Sequence, residues 1–378
     1  MSGEKKLGGK LFSGGGTLAF VLGLLGVGVA LYRLAFGLRA STNLNDGYPW
    51  GLWISFDVMV GVALAAGGFT TTLGAYVLGW KKYKPVVRPA ILTAFLGYAL
   101  VAAGVFLDIG KPWSLWHPIL MWQPHSMLFE VAMCVMMYLT VLFLEFSPNL
   151  FEGLGMPGAA AFMRNPIVLW PLVIIGIILS FGHQNSIGGL FLLMPHKLSH
   201  LWWSPLMNYW FYLSAFAVGL AMVSFETIVS HRSFKMEQPM AILDGLARGT
   251  AIALAVYLGA RFADLAARGN LGLIASSGKA SALFAIEVFG LGVLPMLLLF
   301  SPGVRKSVDG ILWSQVLVIA GVIMNRFNVS FLMQSGARTS YFPAWTEFVM
   351  SIGLVSLGVF IYRWAVITLP IMSHEEAH

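Results

Sequence analysis

The sequence has little charge: only 10% of its 378 residues are Asp, Glu, Lys or Arg, whereas 58% are hydrophobic. A soluble protein of this length would carry about 25% charged residues. Apolar runs of about 20 residues recur along the chain, and each is long enough to cross a hydrocarbon core of about 30 Å. This composition excludes an ordinary soluble domain and predicts a protein that crosses a membrane many times.

Cysteine is almost absent, since Cys134 is the only one and it lies inside an apolar run. One cysteine excludes a disulfide within the chain, a CxxCH haem attachment site and an iron–sulfur cluster held by several cysteines of this chain. The net charge of +7 is not evidence for a nucleic-acid partner here, and none is expected. In a membrane protein, lysine and arginine mainly mark the cytoplasmic loops.

The apolar runs predict an all-α polytopic membrane protein with ten transmembrane helices. Backbone polar groups cannot stay unpaired in lipid, and these runs are too long and unbroken for the strands of a barrel. The connections are short and rich in Pro, Gly, Trp and basic residues, so no soluble domain is inserted. The predicted spans are about 17–38, 51–79, 89–107, 125–146, 166–183, 205–229, 243–265, 281–300, 309–330 and 344–369.

The distribution of lysine and arginine predicts the orientation of these spans. With the N-terminus inside, thirteen of these residues fall on the cytoplasmic side and nine on the opposite side. The strongest cluster is 81–88, in the connection after the second span. The excess predicts that both termini are cytoplasmic.

An internal repeat relates the two halves of the chain. Four pairs of landmarks recur at offsets of 154 to 158 residues, namely Gly61 and Gly219, Asp108 and Asp264, Glu130 and Glu287, and Ser147-Pro148 and Ser301-Pro302. Each unit contains four spans, so the copies share one topology and predict an axis along the membrane normal. We therefore expect two parallel-repeat four-helix bundles, spans 2–5 and 6–9, flanked by spans 1 and 10. The predicted divisions are 1–44 (tail and first helix), 45–190 (first bundle, with the ligand site), 191–335 (second bundle) and 336–378 (last helix and tail).

Unusual polar residues gather in the loops predicted to face outward. They lie in NDGYPWGLWISFD (45–57), DIGKPWSLWHPILMWQPHSMLFE (108–130), FGHQNSIGG (181–189) and HKLSHLWWSP (196–205), with five of the eight histidines. Tryptophans at membrane boundaries are often only interfacial anchors, and that explanation applies to each of these singly. Carboxylates inside spans cost several kcal/mol unless neutral or paired, so we regard Asp57, Glu130, Glu226, Glu287 and Glu347 as functional candidates. For the second-bundle acids, an ion-pair network with Arg326, Arg261 or Arg248 is the structural alternative.

Histidine, carboxylate and flat aromatic residues at a membrane interface suit quinone chemistry. Reduction of a quinone takes two electrons and two protons, one for each carbonyl oxygen, and its flat ring needs aromatic walls. A histidine, with an ordinary pKa of about 6.5, can deliver a proton, and a buried carboxylate can hold and pass one. His125 and Glu130, five residues apart at the head of span 4, are expected about 140° apart on a helix.

Two other functions use similar residues. Two-repeat bundles with midplane carboxylates also describe secondary transporters. Against this, the acidic residues lie mainly toward one face and paired Gly/Pro interruptions are missing. A b-type cytochrome needs facing histidine pairs, whereas these histidines are expected at helix ends or in loops.

The sequence resembles the NrfD-like family, the membrane subunits of polysulfide reductases, and most closely its HybB-type branch from uptake nickel–iron hydrogenases. The resemblance covers essentially the whole chain and is carried by PWGLWISFDV (49–58), WHPILMWQPHSMLFEVAMCVMMYLTVLFLEF (116–146), HQNSIGGLFLLMPHKLSHLWWSPL (183–206) and MNRFNVSF (324–331). It implies a multi-pass subunit of the bacterial inner membrane, without haem or an iron–sulfur cluster of its own. Such a subunit exchanges electrons between membrane menaquinone or ubiquinone and a periplasmic ferredoxin-like iron–sulfur subunit.

In the HybB-type case the resemblance implies hydrogen:quinone oxidoreduction with nickel–iron hydrogenase subunits. Related complexes contain multihaem cytochromes, so two alternatives remain. One is a quinol-oxidising subunit that feeds multihaem cytochromes or another reductase, and the other is a non-catalytic membrane anchor. The resemblance also suggests that protons are translocated through the helix bundles.

We therefore hypothesise one quinone site, in the first bundle. His125 and Asp57 contact the ring oxygens, and His117 and Asp108 link the pocket to outer water. Glu130 acts as a proton relay with support from His183. The aromatic wall and its neighbours are Trp50, Trp53, Trp116 and Trp122. Candidates for a longer proton pathway are Asp264, Glu287, Glu226, Arg326 and Glu347; no metal site is predicted.

Overall fold

The computed structural model describes residues 9–48, 50–276, 278–333 and 341–372. Both ends of the chain lie outside this part. So do Lys5 and Lys6, which were counted on the cytoplasmic side, and Arg338, which was counted on the opposite side. Within the described residues the regular structure is helical, and ten helices are long and apolar enough to cross a membrane. The prediction of ten membrane helices is therefore confirmed.

We number these membrane helices α1 to α10. They are α1 Gly14–Phe36, α2 Trp53–Val77, α3 Lys81–Asp108, α4 Met127–Gly153, α5 Pro166–Leu192, α6 Met207–Phe234, α7 Met240–Ala267, α8 Lys279–Phe300, α9 Val308–Leu332 and α10 Trp345–Thr368. Short helices also lie in the connections, at Leu38–Ser41, Pro112–Ser114, His117–Leu120, Pro157–Met163, Leu273–Ser276 and Pro302–Arg305.

The helices alternate in direction, so the connections fall on two faces. We call the face with the connections after α1, α3, α5, α7 and α9 the loop face. The other, where α1 begins and α10 ends, is the terminal face. These names describe the chain alone; the predicted cytoplasmic location of the terminal face stays a prediction.

Two helix boundaries differ from the sequence prediction in ways that matter for function. Helix α5 continues to Leu192, so His183 and the polar run 181–189 lie inside a helix and not in a loop. These residues are largely buried, which explains the error: their polarity serves the protein interior. Helix α4 begins only at Met127 with Ser126 as its N-cap. His125 therefore precedes the helix, and the predicted angle between His125 and Glu130 does not apply.

The helices pack as two groups of four and a separate pair. Helix α2 packs on α3, α3 on α4, α4 on α5, and α5 on α2; α6 to α9 form a second ring in the same way. Helix α6 joins the two groups by packing on both α5 and α2. We call these groups the first and the second bundle. The parallel-repeat relation between them stays a prediction.

Helices α1 and α10 pack closely on each other because glycines face across their contact. A Cβ atom added to Gly353 would lie 2.4 Å from the Cα of Gly26, which is too close for any side chain. Small residues of this kind let membrane helices approach backbone to backbone. The α1–α10 pair touches the bundles mainly through contacts of α10 with α3.

Several membrane helices contain π-helical turns, which add a residue to a turn and are frequent at functional sites. They occupy Trp53–Val60 and Leu73–Val77 in α2, Ile286–Val293 in α8 and Asn328–Leu332 in α9. Asp57, Glu287 and Asn328 lie within these turns.

Candidate functional site

Asp57 lies one turn into α2 from the loop face and is only 8% exposed. Its Oδ2 accepts a hydrogen bond of 2.9 Å from the hydroxyl of Ser351 on α10. On the other side, Gly104 of α3 is so close that a Cβ there would lie 3.0 Å from the Cβ of Asp57. The carboxyl group is thus held where α2, α3 and α10 meet.

Asp57 lies at one end of a cavity of about 600 Å³ between the first bundle, α6 and the α1–α10 pair. Its walls are mainly apolar and include Phe56, Gly61, Leu100 and Leu354 near the carboxyl group. Val355 and Val359 of the α10 wall are 46% and 55% exposed on the surface that faces lipid. The cavity can therefore take an apolar molecule from the membrane and bring it to a carboxyl group.

The same cavity continues toward the terminal face, where it meets Glu226 of α6. The side chains of Tyr362 and Thr93 lie beside this carboxyl group. Its Oε1 is buried without a protein partner among the described residues. Glu226 is therefore a second polar group in the wall of the cavity.

Asp108 and Arg33 connect Asp57 with the loop face. Asp108 ends α3 and lies near enough to Asp57 to interact with it electrostatically. Arg33 of α1, which is 2% exposed, donates to the carbonyl oxygens of Leu107 at 2.5 Å and Ile109 at 2.6 Å. This arginine interacts with Asp108 and fixes the end of α3.

Glu347 performs a structural task at this face. Its Oε1 accepts hydrogen bonds from the backbone N–H groups of Ala344 at 2.9 Å and Asn43 at 3.0 Å, and its Oε2 accepts one from the Tyr341 hydroxyl. Burial, together with the bond to Glu347, raises the pKa of Tyr341, so this phenol stays protonated and donates. Glu347 thus caps α10 and ties two loops together.

The predicted aromatic wall is divided between two environments. Trp53 is 1% exposed and donates to the backbone carbonyl of Glu347 at 3.2 Å, and Trp50 packs edge-on against Phe191 of α5. Trp116 and Trp122 are 49% and 65% exposed on the loop between α3 and α4.

His125, predicted to contact the ring, and His117, predicted to link the pocket to outer water, belong to that exposed loop. His125 is exposed, and His117 stacks edge-on against Trp116. The contacts of the described residues do not bring either histidine together with Asp57.

Glu130 and His183 lie at the contact between α4 and α5. The Ser186 hydroxyl donates to Glu130 Oε1 at 2.5 Å. His183, one turn away, is fully buried, and its ring packs edge-on against Tyr98 at 5.6 Å between centroids. Both of its ring nitrogens lack a protein partner among the described residues. The predicted association of Glu130 with His183 is thus indirect, through α5.

Glu287, by contrast, is the centre of a complete hydrogen-bond network in the second bundle. Its Oε1 accepts from Arg261 and from Asn325, both at 2.7 Å. Its Oε2 accepts from Trp202 at 2.7 Å and from Asn328 at 2.6 Å. Four donors thus occupy both oxygens of this carboxylate. Trp202, which is 2% exposed, is thus a core residue and not an interfacial anchor.

Two further members of the predicted proton pathway are engaged as well. Arg326 donates to Asn325 Oδ1 at 2.7 Å and to Ser214 Oγ at 2.9 Å, and lies 3.9 Å from the ring centre of Phe211. Asp264 forms an ion pair with Arg268 at 2.8 Å. That arginine also holds the loop before α6 through the carbonyl of Trp203 at 2.8 Å. Of the ion pairs considered as an alternative for the second bundle, the one between Arg261 and Glu287 is present, at 2.7 Å.

Two comparisons with known proteins fix the family. The sequence profile of the family described as "Polysulphide reductase, NrfD" matches residues 40–337. This chain is a member of the NrfD family. A Nitratidesulfovibrio vulgaris relative, whose name states no function, is 36% identical over 97% of this chain and 98% of its own length.

Two other relatives of this NrfD protein have informative names. The "Probable Ni/Fe-hydrogenase 2 b-type cytochrome subunit" of Escherichia coli is 31% identical, over 97% of this chain and 94% of its own length. The "Menaquinone reductase, integral membrane subunit" of N. vulgaris is 30% identical, over 95% of this chain and 92% of its own. The resemblance inferred from the motifs is confirmed at the level of the family and of the HybB-type relative.

The name of the E. coli relative raises the question of haem b, which two facing histidines would hold. Among the described residues, His183 is the histidine that lies inside the first bundle, and its ring packs against Tyr98 in the core. Four others lie in the loop-face connections, and His231 at the terminal end of α6 contacts the carbonyl of Thr227. The described residues therefore do not supply the facing pair that a bis-histidine haem requires. They also contain no cluster of three or more His, Cys, Asp or Glu suited to a metal ion.

Sequence reasoning missed two residues of the site, Ser351 and Arg33, and one buried carboxyl group outside it, Glu145. Ser351 lies in an apolar span without a motif, and Arg33 was counted only as a loop charge. Glu145, which is 8% exposed, was placed at the end of span 4, whereas α4 continues for two more turns. A charged residue inside a predicted span is the signal that could have found the last two.

Proposed function

We propose that this NrfD protein is the quinone-reactive membrane subunit of a respiratory oxidoreductase complex. It exchanges electrons between menaquinone or ubiquinone in the membrane and an iron–sulfur subunit docked on the loop face. Membership of the family and the names of the hydrogenase and menaquinone reductase relatives support this role. The HybB-type relative favours hydrogen as the ultimate donor, through nickel–iron hydrogenase subunits.

The observation that carries the proposal is the carboxyl group of Asp57 at the end of an apolar, lipid-facing cavity. A quinone has a flat ring with two oxygens and a long apolar tail, so its tail fits the cavity while its ring reaches Asp57. Phe56 offers a flat wall beside the carboxyl group. The hydroxyl of Ser351 holds Oδ2, which orients the carboxyl group for proton exchange with a ring oxygen.

Asp108 and Arg33 give this site a route for protons to the loop face. Asp108 Oδ1 is buried without a protein partner among the described residues, so it can accept a proton from Asp57 or return one. Arg33 holds the end of α3 in place while this exchange occurs. Each ring oxygen needs one proton for every two electrons transferred, and this acid pair supplies it.

The exposed loop between α3 and α4 is the proposed docking surface for the partner. Trp113, Leu120 and Trp122 are 70%, 72% and 65% exposed, and aromatic residues of this kind are enriched in protein interfaces. In this proposal His125, His117 and Trp116 lie under the partner and assist proton and electron entry. They are not the first contacts of the ring, which is a change from the arrangement expected from the sequence.

Replacement of Asp57 by asparagine tests the proposal, because asparagine keeps the shape and still accepts from Ser351. Quinone reduction by the purified complex, driven by a reduced viologen and measured with decyl-ubiquinone and a short-chain menaquinone, should fall about 100-fold or more. Reduction of a soluble dye by the partner subunits should not change. The matched control is Glu237→Gln, which removes an exposed carboxylate.

The competing function is a membrane anchor without redox chemistry. It predicts that Asp57→Asn leaves quinone reduction at the wild-type rate while substitutions in the exposed loop release the partner. That result would reject the quinone site at Asp57.

A further inference from the structure

The cavity that begins at Asp57 extends far beyond the carboxyl group that the proposed function uses. Ser351, which bonds to Asp57, and Arg363 at the terminal end of the cavity are twelve residues apart on α10, or about 18 Å along the helix. In the terminal half, α6 and α10 meet mainly through polar side chains, with the hydroxyls of Ser230 and Tyr362 3.3 Å apart. The gap between α6 and the α1–α10 pair is open to lipid, so a membrane molecule fills it.

A positive charge lies at the terminal mouth of this cavity. Arg363 lines the mouth and is half-buried. Its guanidinium donates to the backbone carbonyls of Leu11 at 3.2 Å and Lys10 at 2.9 Å, and lies 5.4 Å from the ring centre of Phe234. These bonds use two of its five N–H groups, and within the described part of the chain it forms no ion pair with a carboxylate. A fixed guanidinium with free donors at a membrane surface suits a phosphate group.

The other groups at the mouth also suit a phosphate. Ser13 and Ser233 offer hydroxyl groups, and Gly15 lies in the first turn of α1, where backbone N–H groups have no partner within the helix. A Cβ on Gly15 would meet no atom within 4 Å, so there is room beside this turn. The two acidic residues that line the cavity, Asp57 and Glu226, both lie deeper in the membrane. The mouth is therefore positively charged and free of acidic side chains.

Farther from the terminal face, the cavity wall carries uncharged polar groups. Glu226 lies seven residues before Ser233 on α6, or about 10 Å deeper, with the side chains of Tyr362 and Thr93 beside it. Its Oε1 has no protein partner among the described residues. A carboxyl group without a cation is neutral at this depth, because a buried charge is costly, and it can then donate a hydrogen bond. Beyond this level the walls are apolar, with Leu96, Leu100, Phe225 and Val359.

We propose that the terminal half of the cavity binds an anionic glycerophospholipid. Its phosphate contacts Arg363 and the first turn of α1, its ester carbonyls accept from Tyr362 and Glu226, and an acyl chain runs toward Asp57. The order of charged, polar and apolar groups along the cavity matches the order of these parts in a phospholipid. A quinone has no charge to pair with Arg363, and its ring needs only the loop end, so the two ligands bind side by side. The lipid joins α6 to the α1–α10 pair, and its binding does not depend on the proposed redox function.

A photoactivatable phosphatidylglycerol, with a diazirine in one acyl chain, tests this site in the intact complex. The complex is depleted of lipid in mild detergent, incubated with the probe and irradiated, and the labelled peptides of this chain are identified. Labels should lie in 222–234 of α6 and 354–363 of α10, and unlabelled phosphatidylglycerol should remove them. Neither sodium phosphate nor decyl-ubiquinone should displace the probe. Displacement by phosphate would mean a simple anion site, and displacement by the quinone would assign the whole cavity to it; either result would overturn the proposal.

Substitutions at the mouth assign the binding to its positive charge. Arg363→Gln should raise the Kd for phosphatidylglycerol about fivefold, as expected for one arginine beside an anionic headgroup, whereas Arg363→Lys should keep most of the affinity. The matched control is Arg232→Gln, which removes an exposed arginine of the same face outside the cavity.

Ser233→Asp tests the same charge without removing the bonds of Arg363 to the chain before α1. Ser233 is exposed, so a carboxylate at this position should leave the fold intact and repel the phosphate, whereas Ser233→Asn should bind as the wild type does. Equal labelling of the wild type, Arg363→Gln and Ser233→Asp would overturn the lipid site. Asp57→Asn should leave the labelling unchanged, which separates this site from the quinone site.

Discussion

The two bundles treat buried polar residues in opposite ways. In the second bundle, the carboxylate of Glu287 is surrounded by four donors and paired with Arg261. In the first, His183 is fully buried with two unpaired nitrogens, and Asp57 has one fixed donor and borders a cavity. A fully paired network stabilises one conformation, whereas unpaired groups are ready to bind a ligand, water or a proton. The proposed function uses this difference: it assigns a structural role to the second bundle and the chemistry to the first.

The largest effect on stability should come from Glu287→Ala. The substitution leaves Arg261 as an unpaired buried charge and removes the acceptor of three other donors, at a cost of about 3–5 kcal/mol. Thermal unfolding in detergent, followed by intrinsic fluorescence, measures the loss.

The control is Glu237→Ala, which removes an exposed carboxylate and should leave the unfolding temperature as it is. A Glu287→Ala protein as stable as the wild type would mean that the second-bundle network is not structural. It would reopen the sequence-based assignment of Glu287 to a proton pathway.

His183→Leu should have a much smaller effect on stability, in spite of the complete burial of this residue. Its ring nitrogens make no protein hydrogen bond among the described residues, so an apolar side chain of similar size should change the unfolding free energy by less than about 1 kcal/mol. The same unfolding assay measures this change. A destabilisation equal to that of Glu287→Ala would show that the two bundles do not differ.

Ser186→Ala should have the smallest effect of the three. It removes one hydrogen bond to Glu130, and such bonds between membrane helices contribute about 0.6 kcal/mol. The matched control is Ser147→Ala, since the hydroxyl of this buried serine bonds only to Leu144 of its own helix. A loss well above that of the control would mean that the contact of Glu130 with α5 is structural.

The sequence predicts the fold of this protein better than its site. Length and hydropathy determine the spans, because a backbone segment in lipid must pair its own polar groups and a helix does so. Most predicted helix ends lie within a few residues of the ends in the structure. The main exception is instructive: HQNSIGG was assigned to a loop because it is polar, yet it lies in α5 and faces other helices. Hydropathy records that a residue is polar, but not whether it faces water or the protein interior.

The partners of the candidate residues depend on contacts between distant parts of the chain. Asp57 meets Ser351 across 294 residues, and Glu287 meets Trp202 across 85. No local sequence pattern encodes such pairs. From the sequence alone, Asp57 and Glu287 were therefore equally good functional candidates, because each is a carboxylate inside a membrane span. The structure separates them: one borders a cavity and the other is enclosed by donors.

Photolabelling of the intact complex tests the central difference between the bundles most directly. An azido-quinone is photolysed in native membranes, and the labelled peptides of this chain are identified by mass spectrometry. The account predicts labels near the cavity, in 53–64 of α2, 96–104 of α3 and 351–359 of α10, which an excess of unlabelled quinone removes. Specific labels confined to α7, α8 and α9 would contradict it, because the quinone would then bind the bundle that we consider structural.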